Sequence, residues 1–298
     1  MKVHIARLSF ISPLQKKLFK SKFEGTPIEL AEKLLVDHPR YSPKKKRGFV
    51  GLILGGFRFD TDGRLLSAKL GKAKEVKLPD YDNDKIDFLD KRGTLYPHVY
   101  LLWDRDEQVI LIERDTSVFR NYETVLKSIE DHLNKLLAEY ELRVFVEPLT
   151  EKTDFWKAIR TYKYLYGVNF ELHMPNFFGR TQKAIKEVLE MHKDRYNATG
   201  VLTQISNPDG GLEIPEDDPQ INTNLEWITK GGGSWFIRGK KAEGKKKVKI
   251  TSTRSQNIKV EETIEIENYT AEEVVSILSA VRSKYSVKSM RGEDDENK

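Results

Sequence analysis

The feature that most narrows the possible folds is a pair of short apolar runs, residues 97–103 and 108–114, on either side of Asp104-Arg105-Asp106-Glu107. Runs of this length around a polar turn predict the two strands of a hairpin. A long amphipathic stretch, residues 118–140, follows at once. Its Tyr122, Val125, Ile129, Leu133, Leu136 and Leu137 recur at helical spacing and predict one buried stripe. Strand pairs beside helices of this kind point to an α+β fold with mixed or antiparallel sheets, amphipathic helices and two subdomains.

Other segments extend the pattern. Residues 3–11 read as a strand. Thr26 before Pro27 opens a helix over residues 28–36, with Thr26 as N-cap and proline at the first helical position. Residues 49–59 read as a strand bent at Gly55-Gly56, ended by a turn at residues 60–63. Residues 65–78 continue as strand, and the charged stretch 79–93 reads as a loop. After the long helix, residues 143–148 form a strand, residues 154–164 a helix capped by Asp154, and residues 166–174 an alternating strand. A helix over residues 181–196 and a strand over residues 200–205 complete a globular α+β unit, residues 1–206. Residues 207–233 are the hinge or loop region, rich in Pro, Gly and Asp in their first half, with a helix over residues 221–229. Gly231-Gly232-Gly233 reads as a flexible linker. Residues 234–285 carry a β-hairpin, a further strand over residues 258–266 and a closing helix over residues 271–285. Residues 286–298 form an acidic tail expected to be disordered.

Composition removes several chemistries. The 298 residues include no cysteine, which excludes a disulfide scaffold, a thiol nucleophile, a thiolate zinc site and an iron–sulfur cluster. No apolar run approaches the length of a membrane span. A cytoplasmic protein is the expected setting. The six histidines have no close metal spacing, and no cofactor motif stands out. Gly239 to Lys246 has the spacing of a phosphate loop, but the last position is lysine where a magnesium-holding hydroxyl is needed, and a strand follows instead of a helix. Asp80, Asp82 and Asp84 begin like a calcium loop, yet Lys85 and Lys91 occupy the required glycine and glutamate positions.

Charge is the strongest functional signal. The chain carries a net +5. Between positions 238 and 259, nine cations face one acid, Glu243, for a local +8 that leaves −3 for all other residues together. The candidate contacts are Arg238, Lys240, Lys241, Lys245, Lys246, Lys247, Lys249 and Arg254, with Lys44, Lys45, Lys46 and Arg47 as a second patch. Lysines crowded on a hairpin neutralise phosphates and release counterions, which gives affinity without sequence information. Trp235 and Phe236 are candidates for base stacking.

From residue 96 to about 215 the chain resembles the RexA family of phage exclusion proteins. The resemblance rests on the strand pair 99–103 and 109–114, the long helix, Val146-Glu147-Pro148-Leu149 with Thr153-Asp154, and the strand 168–174 before Pro175. It implies a homodimer with a globular part and a mobile second part that binds DNA largely without sequence preference, in antiviral phage defence. No catalytic residues transfer from it.

These readings lead to a non-catalytic, sequence-nonspecific binder of double-stranded DNA, with an effector activity possible in a partner protein. Two rivals stand beside it. Asp62, Glu75 and Lys77 have the order of a metal-dependent nuclease, in which carboxylates hold Mg²⁺ and a lysine aids the attack. Alternatively, the basic hairpin meets an acidic protein or an anionic lipid surface, as an adaptor would.

Overall fold

The structure, a computed structural model, describes residues 3–11, 23–43, 49–59, 63, 65–82, 87–173, 189–192, 195–196 and 198–252. The fold is α+β, and each strand pair in its sheets is antiparallel.

A seven-stranded, curled half-barrel sheet builds the first lobe. Its strands are β1 (Val3–Ile11), β2 (Arg40–Tyr41), β3 (Leu52–Phe59), β4 (Leu65–Gly71), β7 (His98–Asp104), β8 (Val109–Glu113) and β9 (Arg143–Pro148), in the order β2-β3-β4-β7-β8-β1-β9. Helices α1 (Pro27–Asp37) and α2 (Tyr122–Leu137) bring their apolar stripes to one face of it. Ala6, Leu8 and Phe10 of β1 meet Leu34, Val125, Ile129 and Leu133 of the helices in one buried cluster. β1 is buried along its whole length. Alternation therefore sends Arg7 and Ser9 to the opposite face, and there they meet the second lobe.

The second lobe is a four-stranded sheet with order β11-β10-β12-β13, built from β10 (Tyr164–His173), β11 (Gly200–Ser206), β12 (Gly233–Lys240) and β13 (Val248–Thr251). Helices α3 (Lys152–Arg160) and α4 (Pro219–Thr229) cover one face of it. Phe155, Trp156, Leu225, Trp227 and Ile228 pack there against Val168, Phe170, Trp235 and Ile237. The hairpin residues thus share a core with residues 155–172. The two buried clusters part between Val146 and Phe155, well before residue 206, because β12 finds its partner in β10.

Several local expectations change. Residues 79–82 and 87–93, expected to be loop, belong to a two-stranded ribbon, β5 (Lys74–Asp82) and β6 (Asp87–Leu95), paired from Lys74↔Leu95 to Asp82↔Asp87. Backbone pairing needs no apolar side chains, so a charged sequence hid it. α2 begins at Tyr122 because Asn121 caps it, and a 3-10 turn ending at left-handed Glu141 (φ 57°) closes it. α3 starts at Lys152, so Asp154 lies in its first turn and is no cap, and it stops at Arg160, which frees Tyr164 for β10. Gly231-Gly232-Gly233 is buried and is no linker. Gly231 (φ +82°) ends α4, where a Cβ would stand 2.7 Å from the Arg7 Cβ. The strand 258–266, the helix 271–285 and the tail 286–298 lie outside the described residues. Residues 189–192 and 195–196 are helical, within the helix expected over 181–196.

Candidate nucleic-acid interface

The basic hairpin is β12 and β13, joined by residues 241–247. Register decides which of its side chains face out. Tyr164 stands opposite Lys240, Gly167 opposite Arg238, and Asn169 opposite Phe236. Arg238 in turn stands opposite Lys249. Alternation sends Tyr164, Phe236, Arg238, Lys240 and Lys249 to one face, and Leu165, Val168, Phe170, Trp235 and Ile237 to the core. The pairing shifts between Leu165 and Gly167, which makes Tyr166 the bulged residue. α3 and α4 occupy the core face, so the face with the cations is the one away from the helices.

Cations and aromatic rings interleave there. Lys247 Nζ lies 3.8 Å from the Tyr166 ring centre, and Lys249 Nζ lies 3.8 Å from that of Phe236. Lys240 and Lys163 each place Nζ 5.4 Å from the Tyr164 ring centre. Each pairing is within cation–π reach. Gly210 packs its backbone against Tyr166, where a Cβ would meet the ring at 2.9 Å. The Arg238 guanidinium lies over Gly167, with Nη2 3.2 Å from the place of a Cβ. Arg238, Lys241, Lys245, Lys246, Lys247 and Lys249 are exposed, and Lys240 is half-buried. On β11 the exposed Gln204 accepts a 3.0 Å hydrogen bond from Asn169. The positive end of the face is thus the hairpin end. At the other end Glu171 is exposed, and His173 stacks on Phe145 of β9 at 3.8 Å.

The structure splits the two stacking candidates. Trp235 is 1% exposed and belongs to the core, edge-on to Phe155 at 5.3 Å, whereas Phe236 faces out. Sequence reasoning missed Tyr164 because residues 154–164 read as one helix, and missed Tyr166, the first residue of the strand expected over 166–174, because the register shift between Leu165 and Gly167 leaves no mark in the sequence. The alternation Tyr164-Leu165-Tyr166 was the available signal. Lys44, Lys45, Lys46, Arg47 and Arg254 lie outside the described residues. So does Asp62 of the nuclease set. Glu75 and Lys77 share an exposed side of the β5–β6 ribbon, and among the described residues no three His, Asp or Glu side chains are placed to hold a metal ion.

Buried ionisable groups concentrate between the lobes. Arg7, fully buried, donates from Nη1 to the Lys230 carbonyl at 2.5 Å and lies 4.0 Å from Glu107. Burial lowers its pKa to about 10 against the pull of Glu107 and Asp104. Ser9 Oγ donates to the Gly231 carbonyl at 3.4 Å. His173 Nε2 stands 3.4 Å from a Glu147 oxygen, and the His173 carbonyl accepts from the Trp227 indole at 2.9 Å. Glu130 of α2 accepts from the Val146 amide at 2.9 Å, and burial is the main cause that pushes its carboxyl up to about 7. The bonds from Arg7 to Lys230 and from Ser9 to Gly231, with the approach of His173 to Glu147, join the lobes and touch none of the hairpin cations.

A solution-facing surface of this kind can hold a polyanion. The lysine ammoniums supply mobile positive charge for phosphates, the guanidinium supplies a planar fork, and the rings supply flat apolar area. No family model matches the chain, and no curated protein does. The surface must be interpreted from its own geometry.

Proposed function

We propose that the chain is a non-catalytic, cytoplasmic DNA-binding protein that holds the phosphate backbone, duplex DNA included, without sequence preference. A dimeric state and a role in phage exclusion follow from the same reading, through the family resemblance. One observation carries it: the exposed Arg238 and Lys249 stand opposite each other on one sheet face, and the loop that joins their strands carries the exposed Lys241, Lys245, Lys246 and Lys247. Lysines held this way meet successive phosphates, and the released counterions supply the affinity. Contacts to phosphates fix position on the strand and carry no sequence information, so binding without sequence preference is the expected outcome.

The test is a mobility-shift titration on duplexes of unrelated sequence, at low and moderate salt, with and without Mg²⁺. Engagement of about six phosphates lowers affinity by about 10³-fold between 50 and 200 mM salt. Replacing Lys245, Lys246 and Lys247 together by glutamate weakens binding to every duplex alike and flattens that salt dependence. Unchanged binding in the triple variant overturns the assignment to the hairpin. Mg²⁺-dependent cutting that Glu75→Ala abolishes would instead establish the nuclease.

A further inference from the structure

We infer that the open face of the second lobe's sheet takes an unpaired nucleic-acid strand, stacking its bases on Tyr164, Tyr166 and Phe236. This deepens the nucleic-acid reading above and rests on it. The lysines alone do not tell a paired strand from an unpaired one, because both offer phosphates. The rings do. Inside a duplex each base face is already covered by its neighbours, so a ring lying on a flat sheet finds no free base to stack on. An unpaired strand offers every base face, and four-stranded sheets that display aromatic side chains recognise such strands in this way.

Three features of the face support the assignment. Tyr164 and Phe236 stand at paired positions of β10 and β12 and Tyr166 at the bulge of β10, none of them on a loop, and the core side chains beneath fix the register. They are also spread along the sheet. Tyr164 stands opposite Lys240, four residues from Phe236 along β12, which is roughly 13 Å at the rise of a strand. More than one base is therefore accommodated. Finally, each ring has a lysine ammonium next to it: Lys240 and Lys163 at Tyr164, Lys247 at Tyr166, Lys249 at Phe236. A lysine lifted from its ring by an incoming base keeps its charge within reach of the phosphate attached to that base. The ring–cation pair exchanges for a base on the ring and a phosphate on the cation, so charge stays matched throughout. Charge complementarity selects the occupant: a cationic face with flat apolar rings fits a strand that alternates phosphates with planar bases.

The face is accessible. Arg238, Lys249 and Gln204 are exposed, and Leu202 on β11 is 58% exposed. The cations thin out toward Glu171 and Glu147 at the far end, which confines a polyanion to the hairpin end.

Fluorescence anisotropy decides the matter, with labelled oligo(dT) and oligo(U) of about 20 nucleotides, longer than one sheet's usual site. A duplex of the same length and polyglutamate complete the set of probes. The expected result is single-strand binding at least about tenfold tighter than duplex binding, since each stacked ring contributes roughly tenfold. Tyr164→Ala with Phe236→Ala should cost about 100-fold on oligo(dT), leave duplex affinity within about threefold, and leave the salt dependence unchanged. Ultraviolet crosslinking of the unaltered chain to oligo(dT), with the attached peptides mapped by mass spectrometry, gives a readout that needs no variant to fold. Crosslinks at Tyr164, Tyr166 or Phe236 support the inference. Equal affinity for duplex and single strand, or crosslinks confined to residues 241–247, overturns it while the phosphate-binding reading stands. Failure to bind any nucleic acid at low salt, or polyglutamate bound as tightly as oligo(dT), overturns both.

Discussion

At the scale of single residues, the junction between the lobes concentrates the constraints. Gly231 combines a left-handed backbone with close contact to Arg7 and to a Leu149 methyl, 3.1 Å from the place of a Cβ. Gly231→Ala must strain the backbone and push Arg7 away from its carbonyl partner, at a cost of about 2–4 kcal/mol. Urea denaturation of the variant measures this, and a loss under about 1 kcal/mol would mean the junction yields easily. Glu130 makes stability depend on pH. Its carboxyl sits near 7 in the folded chain against 4.5 for an ordinary glutamate. The folded state therefore binds the proton more tightly, so this group's contribution is complete below about 4.5 and disappears as pH rises through about 7. His132 acts in the opposite sense: burial lowers its pKa, so its contribution is complete above the ordinary value of 6.5 and is lost as pH falls through the lowered folded value. Glu130→Gln keeps an oxygen for the Val146 amide and removes the titration. Thermal melts across pH 5 to 8 should then show the variant gaining on the parent as pH rises. Parallel profiles would refute the assignment.

Among the elements, those with local start signals were readable. Thr26 accepts from the Glu29 amide while Glu29 accepts from the Thr26 amide at 2.8 Å, a reciprocal capping box that needs no tertiary context. Thr26→Ala is expected to cost about 1 kcal/mol, read as a shift of the urea midpoint with unchanged slope. Gly55-Gly56 also signalled its bend: the β3–β4 register shifts between Gly55 and Arg58, with Gly56 at φ +64°. The β5–β6 ribbon lacked any such signal. Its pairing is carried by backbone groups, and its charges gave no alternation of apolar and polar positions. α3 was misplaced for a related reason: Glu151, its N-cap, makes no side-chain cap bond, so no residue marks the start.

For the whole molecule, the coupling between lobes runs through β1 and β9, and its buried cation is Arg7 of β1. Three of the four tryptophans, Trp156, Trp227 and Trp235, lie in the second lobe's core, and Trp103 lies in the first. Arg7→Met removes the donor to the Lys230 carbonyl and the cation that faces Glu107 and Asp104. Loss of about 3–5 kcal/mol is expected. The lobes should then unfold apart, with tryptophan fluorescence and far-UV circular dichroism no longer tracing one transition. Coincident transitions in that variant would show that the lobes are joined chiefly by other contacts.

The amino-acid sequence by itself determined the α+β class, the helix start at Thr26, the apolar stripe of the long helix, the hairpin around residues 104–107, and the concentration of cations near the second hairpin. Each depends on neighbours in the chain, through capping, periodicity or charge density. Only the tertiary structure decided which side chains share a face. The bulge at Tyr166 and the β10–β12 register put Tyr164 and Phe236 together with Lys240 and Lys249, although more than seventy positions separate Tyr164 from Phe236. Trp235 and Phe236, adjacent in sequence, went to opposite faces for the same reason: a strand alternates, and the side that packs against α3 and α4 is set by the partners it finds.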